Sequence, residues 1–101
     1  MPRADQAPWA SDYERSKHFR KHGHDLNRAT VEDYDRSARA TVRAGKRFTY
    51  RDTATSDQRG GYYDARHERL TVLDERETTI VTHVHCPERY VRQLSMSDYR
   101  R

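Results

Sequence analysis

An α+β fold, two amino-terminal helices packed on a four-stranded antiparallel β-meander, is what this chain of 101 residues predicts. Two observations carry the prediction. Apolar residues recur at helical spacing as far as Gly45 and at a spacing of two beyond it. The runs after Gly45 are joined by connections too short for a crossover helix, so each strand must turn back beside the one before it. The length fits one domain. The expected layout is a flexible lead-in over 1–10, the folded unit over 11–95 and a basic tail over 96–101.

The lead-in holds two of the three prolines and no periodic pattern, with Trp9 as its anchor. Ser11 then caps a helix that runs to His22, with Glu14 at the capping-box position and Gly23 as the stop. His18 and His22 stand at i and i+4 and so share a face, while Phe19 on a neighbouring stripe anchors the helix to the core. Thr30 with Asp33 opens a second helix. Val31, Tyr34, Ala38 and Val42 form its apolar stripe, Glu32, Asp35, Arg36, Arg39 and Arg43 face solvent, and Gly45 ends it. Residues 47–51 alternate as a first strand, 52–59 read as a polar loop, and Gly60-Gly61 as a turn into Tyr62-Tyr63-Asp64. Strands over 70–74 and 78–85 follow short turns, Pro87 stops the last of them, and 88–94 make one helical turn.

Only 33% of the residues are hydrophobic and 36% are charged, so the core must be thin, built largely from seven tyrosines, a tryptophan and two apolar strands. Twenty Lys and Arg against sixteen Asp and Glu give a net charge of +4, dominated by arginine. The planar guanidinium suits phosphate, so nucleic acid ranks above a membrane or an acidic protein as partner. Cys86 is the only cysteine, which excludes an intrachain disulfide and a Cys-rich zinc site. No run of residues is long and apolar enough for a membrane span, and a cytoplasmic site of action is expected.

Chemistry concentrates in Lys17-His18-Phe19-Arg20-Lys21-His22-Gly23-His24 and in His83-Val84-His85, which hold five of the six histidines. Cleaving RNA without a metal needs a base for the 2′-hydroxyl, an acid for the leaving 5′-oxygen and a cation for the charge that develops on phosphorus. His18 and His22 are the acid–base candidates, Lys21 or Arg20 the phosphate clamp, and Thr82 a hydroxyl donor to a phosphate oxygen. Strict alternation puts Ile80, Thr82, Val84 and Cys86 on one face of the last strand and Val81, His83 and His85 on the other. If the first helix crosses the end of the sheet, the two clusters converge and His83 joins the site beside Thr82. The same spacings also suit a metal, with His18, His22, His83 and His85 as a four-nitrogen zinc or nickel site. Cys86 reads as a small buried thiol. Arg51, Arg59, Tyr63 and Arg66 interleave cations with an aromatic, as an RNA-binding surface would, although packing in the sheet is the plainer role of the tyrosines.

The run Lys17-His18-Phe19-Arg20-Lys21-His22-Gly23, followed by Ala29-Thr30-Val31-Glu32-Asp33-Tyr34, resembles ribonuclease domains of bacterial polymorphic toxins and phages, in which an HF-x-KHG segment precedes a T-x-E-x-Y helix. Tyr62-Tyr63-Asp64, the strand Leu70 to Asp74, and Ile80-Val81-Thr82 running to Pro87 resemble the rest of that pattern. The resemblance is to the barnase–EndoU–colicin–RelE-like superfamily and spans about residues 17–87. It implies a metal-independent endoribonuclease, toxin-like or phage-encoded, that leaves a 2′,3′-cyclic phosphate. Position by position it marks His18, Lys21, His22 and Thr82, implies no cofactor, and suggests an immunity or antitoxin protein as partner. His83-Val84-His85-Cys86 departs from the aromatic residues such domains carry after the threonine. A non-catalytic nucleic-acid-binding regulator and the metal-binding domain remain the alternatives.

Overall fold

A computed structural model describes residues 3–99. The helix α1 (Asp12–His22) is capped by Ser11, whose hydroxyl accepts the Glu14 amide at 3.1 Å. The helix α2 (Val31–Ala44) is capped in the same way by Thr30, which accepts the Asp33 amide at 3.1 Å. Both caps satisfy amides that the first turn of a helix leaves without partners. Tyr34, Ser37, Ala38, Thr41 and Val42, at i, i+3, i+4, i+7 and i+8, form the buried stripe of α2. Ser37 and Thr41 extend the apolar stripe expected there.

The strands β1 (Lys46–Arg51), β2 (Gln58–Asp64), β3 (Arg69–Asp74) and β4 (Ile80–His85) make one antiparallel sheet in sequence order. The α+β meander is therefore as the sequence predicts. One face carries α1, α2 and a core of Trp9, Leu26, Tyr34, Ala38, Val42, Leu73 and Ile80. The other face gathers Tyr50, Tyr63, Leu70, Val72, Cys86 and Val91 under a third helix, α3 (Glu88–Tyr99). This helix is longer than the single turn expected, and residues 96–99 of the basic tail belong to it; residues 100–101 lie outside the described residues.

Three expectations need correction. The lead-in is not loose: a short 3-10 turn at Ala4–Gln6 precedes buried Ala7 and Trp9, and the Ile80 amide donates to the Pro8 carbonyl at 2.8 Å. Arg39 donates to the carbonyls of Asp5 and Ala7, at 3.1 and 2.8 Å, so part of the charged face of α2 serves as a clamp for the lead-in. Second, Gly60 and Gly61 lie inside β2, opposite Thr49 and Phe48, and the turn is at 52–57, closed by the Asp52 amide on the Asp57 carbonyl at 2.8 Å. A side chain at Gly61 would begin 2.6 Å from the Phe48 ring, so this glycine serves close packing. Gly61→Val is expected to lower stability by about 1–3 kcal/mol through overpacking, read as a lower urea midpoint at unchanged m-value.

The third correction concerns the faces of β4. Leu73 pairs with Ile80 but Val72 pairs with Thr82, so Val81 has no partner on β3. Such a bulge reverses the alternation beyond it. Ile80 and His83 consequently share the α2 side, while Val81 and Val84 both pack towards the α3 side. The strand also begins at Ile80, two residues later than expected, because the Asp74 carboxylate takes the Thr78 and Thr79 amides at 2.8 and 3.2 Å.

Candidate functional site

The position of α1 is set by Trp9. Its residue bridges to Ile80 alongside β4, its indole N–H donates to Asp35 at 2.8 Å, and its ring lies 5.8 Å from Tyr34 and 5.9 Å from His18. Phe19, on the neighbouring stripe of the helix, packs on Tyr34 at 5.8 Å. Held between these contacts, His18 faces the edge of the sheet, and its Nδ1 lies 3.0 Å from the Thr82 hydroxyl. His22, one turn on, stacks against His18 with ring centroids 5.9 Å apart. The sheet residue that the helix reaches is thus Thr82, sixty-four positions away in the chain.

Both imidazoles are half-buried, and burial is the main reason that each is held below the usual histidine range. Lys17 and Lys21 lower His18 further while Glu14 opposes them. For His22 the neighbouring His18 and then Lys21 add to burial, against Asp25. Two rings this close are coupled: the proton that one takes makes the other harder to protonate. Lys21 is exposed on the adjacent stripe, in the field of both rings. Arg20 is also exposed, but two residues from each histidine on the helix it lies on the far side.

His83 does not join them. It is 0% exposed, and every polar position of its ring is taken within the core. Thr71 donates its hydroxyl proton to the Ala38 carbonyl at 2.9 Å, so His83 Nδ1 must donate to the Thr71 oxygen, 2.9 Å away, and to the Leu70 carbonyl at 3.1 Å. Burial, with smaller effects from Arg69, His22 and Arg28, pushes its pKa down to about 4. The ring is neutral at pH 7, and Nε2 therefore accepts from the Ser37 hydroxyl at 2.9 Å. His83 is a structural histidine, and the expectation that its side chain supports catalysis is overturned by the bulge that turns it inward.

The four histidines of the alternative metal-site reading are not brought together either. His85 is exposed on the end of β4 and pairs with Glu68 at 3.5 Å, while both His83 nitrogens are engaged. Among the described residues no group of three or more His, Cys, Asp or Glu is placed to hold a metal.

The proposed RNA-binding set is dispersed. Tyr63 is buried, with its hydroxyl donating to the Cys86 carbonyl at 2.8 Å, so it packs and cannot stack a base. Tyr50 is buried and Tyr62 bonds Glu77, which gives the strand tyrosines a packing role. Arg51 closes the β1–β2 turn on the Ser56 carbonyl at 2.8 Å, and Arg59 is largely covered between Asp52 and Asp57 at 3.8 and 3.7 Å. β1 is the opposite edge of the sheet, about 14 Å from β4 at the usual strand spacing. Arg66 is exposed in the β2–β3 turn. Cys86 is buried and burial raises its thiol, as befits a packing residue.

Two cations that sequence reasoning passed over, Arg28 and Arg69, act together with His22 on buried His83 and lower its pKa slightly. Arg28 sits in a connection and Arg69 opens a strand, and no spacing in the chain ties either to α1. A groove of about 850 Å³ lies elsewhere, between β1 and α3 over Phe48, Tyr63 and Val91, and no histidine lines it. No helix among the described residues is long and apolar enough to cross a membrane. No family model, curated protein or solved structure matches the chain.

Proposed function

We propose that the protein is a metal-independent endoribonuclease whose reacting groups are His18 and His22. The observation that carries this reading is the His18–Thr82 contact at 3.0 Å, which fixes one imidazole of a stacked pair and leaves its outer nitrogen for substrate. His18 Nε2 takes the proton of the 2′-hydroxyl, the 2′-oxygen attacks phosphorus, and the 5′-oxygen leaves with a proton from His22. The products are a 2′,3′-cyclic phosphate and a free 5′-hydroxyl. Lys21, whose charge acts on both rings, stands ready to meet charge on the phosphate. The resemblance to toxin and phage ribonucleases supports the same residues, and with them a cytosolic site of action and an immunity or antitoxin protein as partner.

Incubation with total RNA in excess EDTA, beside single-stranded DNA of matched sequence, tests the reading. Cleavage of RNA alone, with cyclic phosphate ends, is the expected result. Intact RNA that is nevertheless bound in a salt-sensitive way would make the protein a nucleic-acid-binding regulator instead.

A further inference from the structure

The helix α1 bears the histidine pair but buries none of its residues fully, so partial contacts, and not an apolar stripe, hold it to the sheet. One of those contacts comes from the lead-in, and the bonds behind it form a closed loop. The Trp9 indole N–H can only donate, and it donates to Asp35 Oδ1 at 2.8 Å. The other oxygen of that carboxylate accepts from Arg39 Nε at 3.0 Å. Arg39 Nη1 in turn donates to the carbonyls of Asp5 and Ala7, the latter two residues before Trp9. Every donor and acceptor in the loop is fixed by its chemistry. The Pro8 carbonyl and the Trp9 bridge tie the same segment to Ile80 of β4, so the indole is held through its backbone as well as its N–H.

We propose that Trp9, Asp35 and Arg39 form a clamp that positions His18, with Trp9 against the imidazole and the two α2 side chains holding Trp9 in place. Ring contacts carry this outward from the core: Tyr34 with Trp9 at 5.8 Å, Trp9 with His18 at 5.9 Å and His18 with His22 at 5.9 Å. The interplanar angles are 28°, 34° and 24°, so each ring presents much of its plane to the next. With Thr82 at its Nδ1, His18 is confined both in plane and in direction. Asp35 and Arg39 belong to the face of α2 that the sequence assigned to solvent, yet their side chains are only 19% and 25% exposed. They act on His18 through Trp9 and are positioning residues. The use of the clamp, a base held ready for substrate, rests on the ribonuclease reading, whereas the ring contact does not.

Trp9 is the only tryptophan, and a protonated imidazole in contact with an indole quenches its fluorescence far more than a neutral one. Emission of the full chain, followed from pH 8 down to pH 5 and so short of the His83 titration, should fall in a step centred on the acid side of pH 6.5. His22, Glu14, Lys17 and Lys21 also act on or touch His18, and Asp35 borders the indole, so variants assign the step. It should vanish in His18→Gln. Asp35→Ala, which frees the indole, should shrink the step and slow RNA cleavage by roughly 10–100-fold with little change in KM. Asp35→Asn keeps an acceptor for the indole N–H and should restore most of both. Arg39→Gln opens the loop at its next bond and is read in the same way as Asp35→Ala if that variant fails to fold. No step in the unmodified protein, a step that persists in His18→Gln, or a full step in Asp35→Ala overturns the clamp, as does cleavage by Asp35→Ala at the full unmodified rate. Intact RNA alongside the expected titrations would reject the ribonuclease reading and leave the clamp standing.

Discussion

His18→Ala is expected to lower the rate of RNA cleavage by roughly 10²–10⁴-fold, the usual contribution of a positioned general base. The change removes a half-buried ring from between Trp9 and His22 but leaves Thr82, Tyr34 and the core beneath them in place. Salt-dependent binding of RNA should persist, because Lys21 and the rest of the chain's excess positive charge remain. Loss of binding in parallel with cleavage, or cleavage within threefold of the unmodified rate, would count against the assignment. The pH profile provides a second readout. Both imidazoles are held below the usual histidine range, first by burial and then by neighbouring positive charge. The productive state has one ring neutral and the other protonated, so kcat/KM, which reports the free enzyme, should peak on the acid side of pH 6.5. Lys21→Gln removes a positive charge that depresses both rings, and the peak should move towards neutrality.

Acid should weaken the fold well before the carboxylates titrate. His83 has a folded pKa of about 4, against an ordinary value of 6.5 once the chain unfolds. Above pH 6.5 neither state binds the proton and the ring has no effect on stability. Between 6.5 and 4 the unfolded chain takes up a proton that the native core refuses, so stability falls as pH falls. Below about pH 4 the loss levels off, having reached ~3 kcal/mol from this residue. His18 and His22 are lowered in the same direction and add to the slope. Urea unfolding at pH 7.5 and 4.5 measures the difference, and for a domain of this size ~3 kcal/mol is a large share of total stability. His83→Gln keeps a polar group without a proton to gain in this range, and its stability should depend less steeply on pH. An equal slope in that variant would place the acid sensitivity elsewhere.

Much of the architecture could be read from the chain because its signals are local. Ser11 and Thr30 cap helices where a small hydroxyl side chain meets the first turn, and Gly45 marks the change of period from helix to strand. The meander follows from connections that leave room only for antiparallel neighbours. Other features gave misleading local signs. Gly60-Gly61 has the composition of a turn, yet its place is under the Phe48 ring on the adjacent strand. The lead-in has no periodicity, yet Arg39 from α2 grips its carbonyls. Tyr63 and Arg59 have the makings of an RNA surface, but in a chain with few aliphatic residues both are drawn into packing and ion pairs.

What the sequence by itself determined about the candidate site is the His18/His22 face, since residues four apart on a capped helix must lie together, with Lys21 on the stripe beside it. It also marked Thr82, through the resemblance to toxin ribonucleases. Only the tertiary structure decided which side of β4 each residue takes. One unpaired residue, Val81, shifts the register against β3, so the choice between Thr82 and His83 cannot be made by counting in twos. The shift turns His83 to the α2 side, where it is sealed beneath Tyr34, while Thr82 meets His18. A bulge depends on how two strands pair across the sheet, and helical or strand spacing within one segment carries no trace of it.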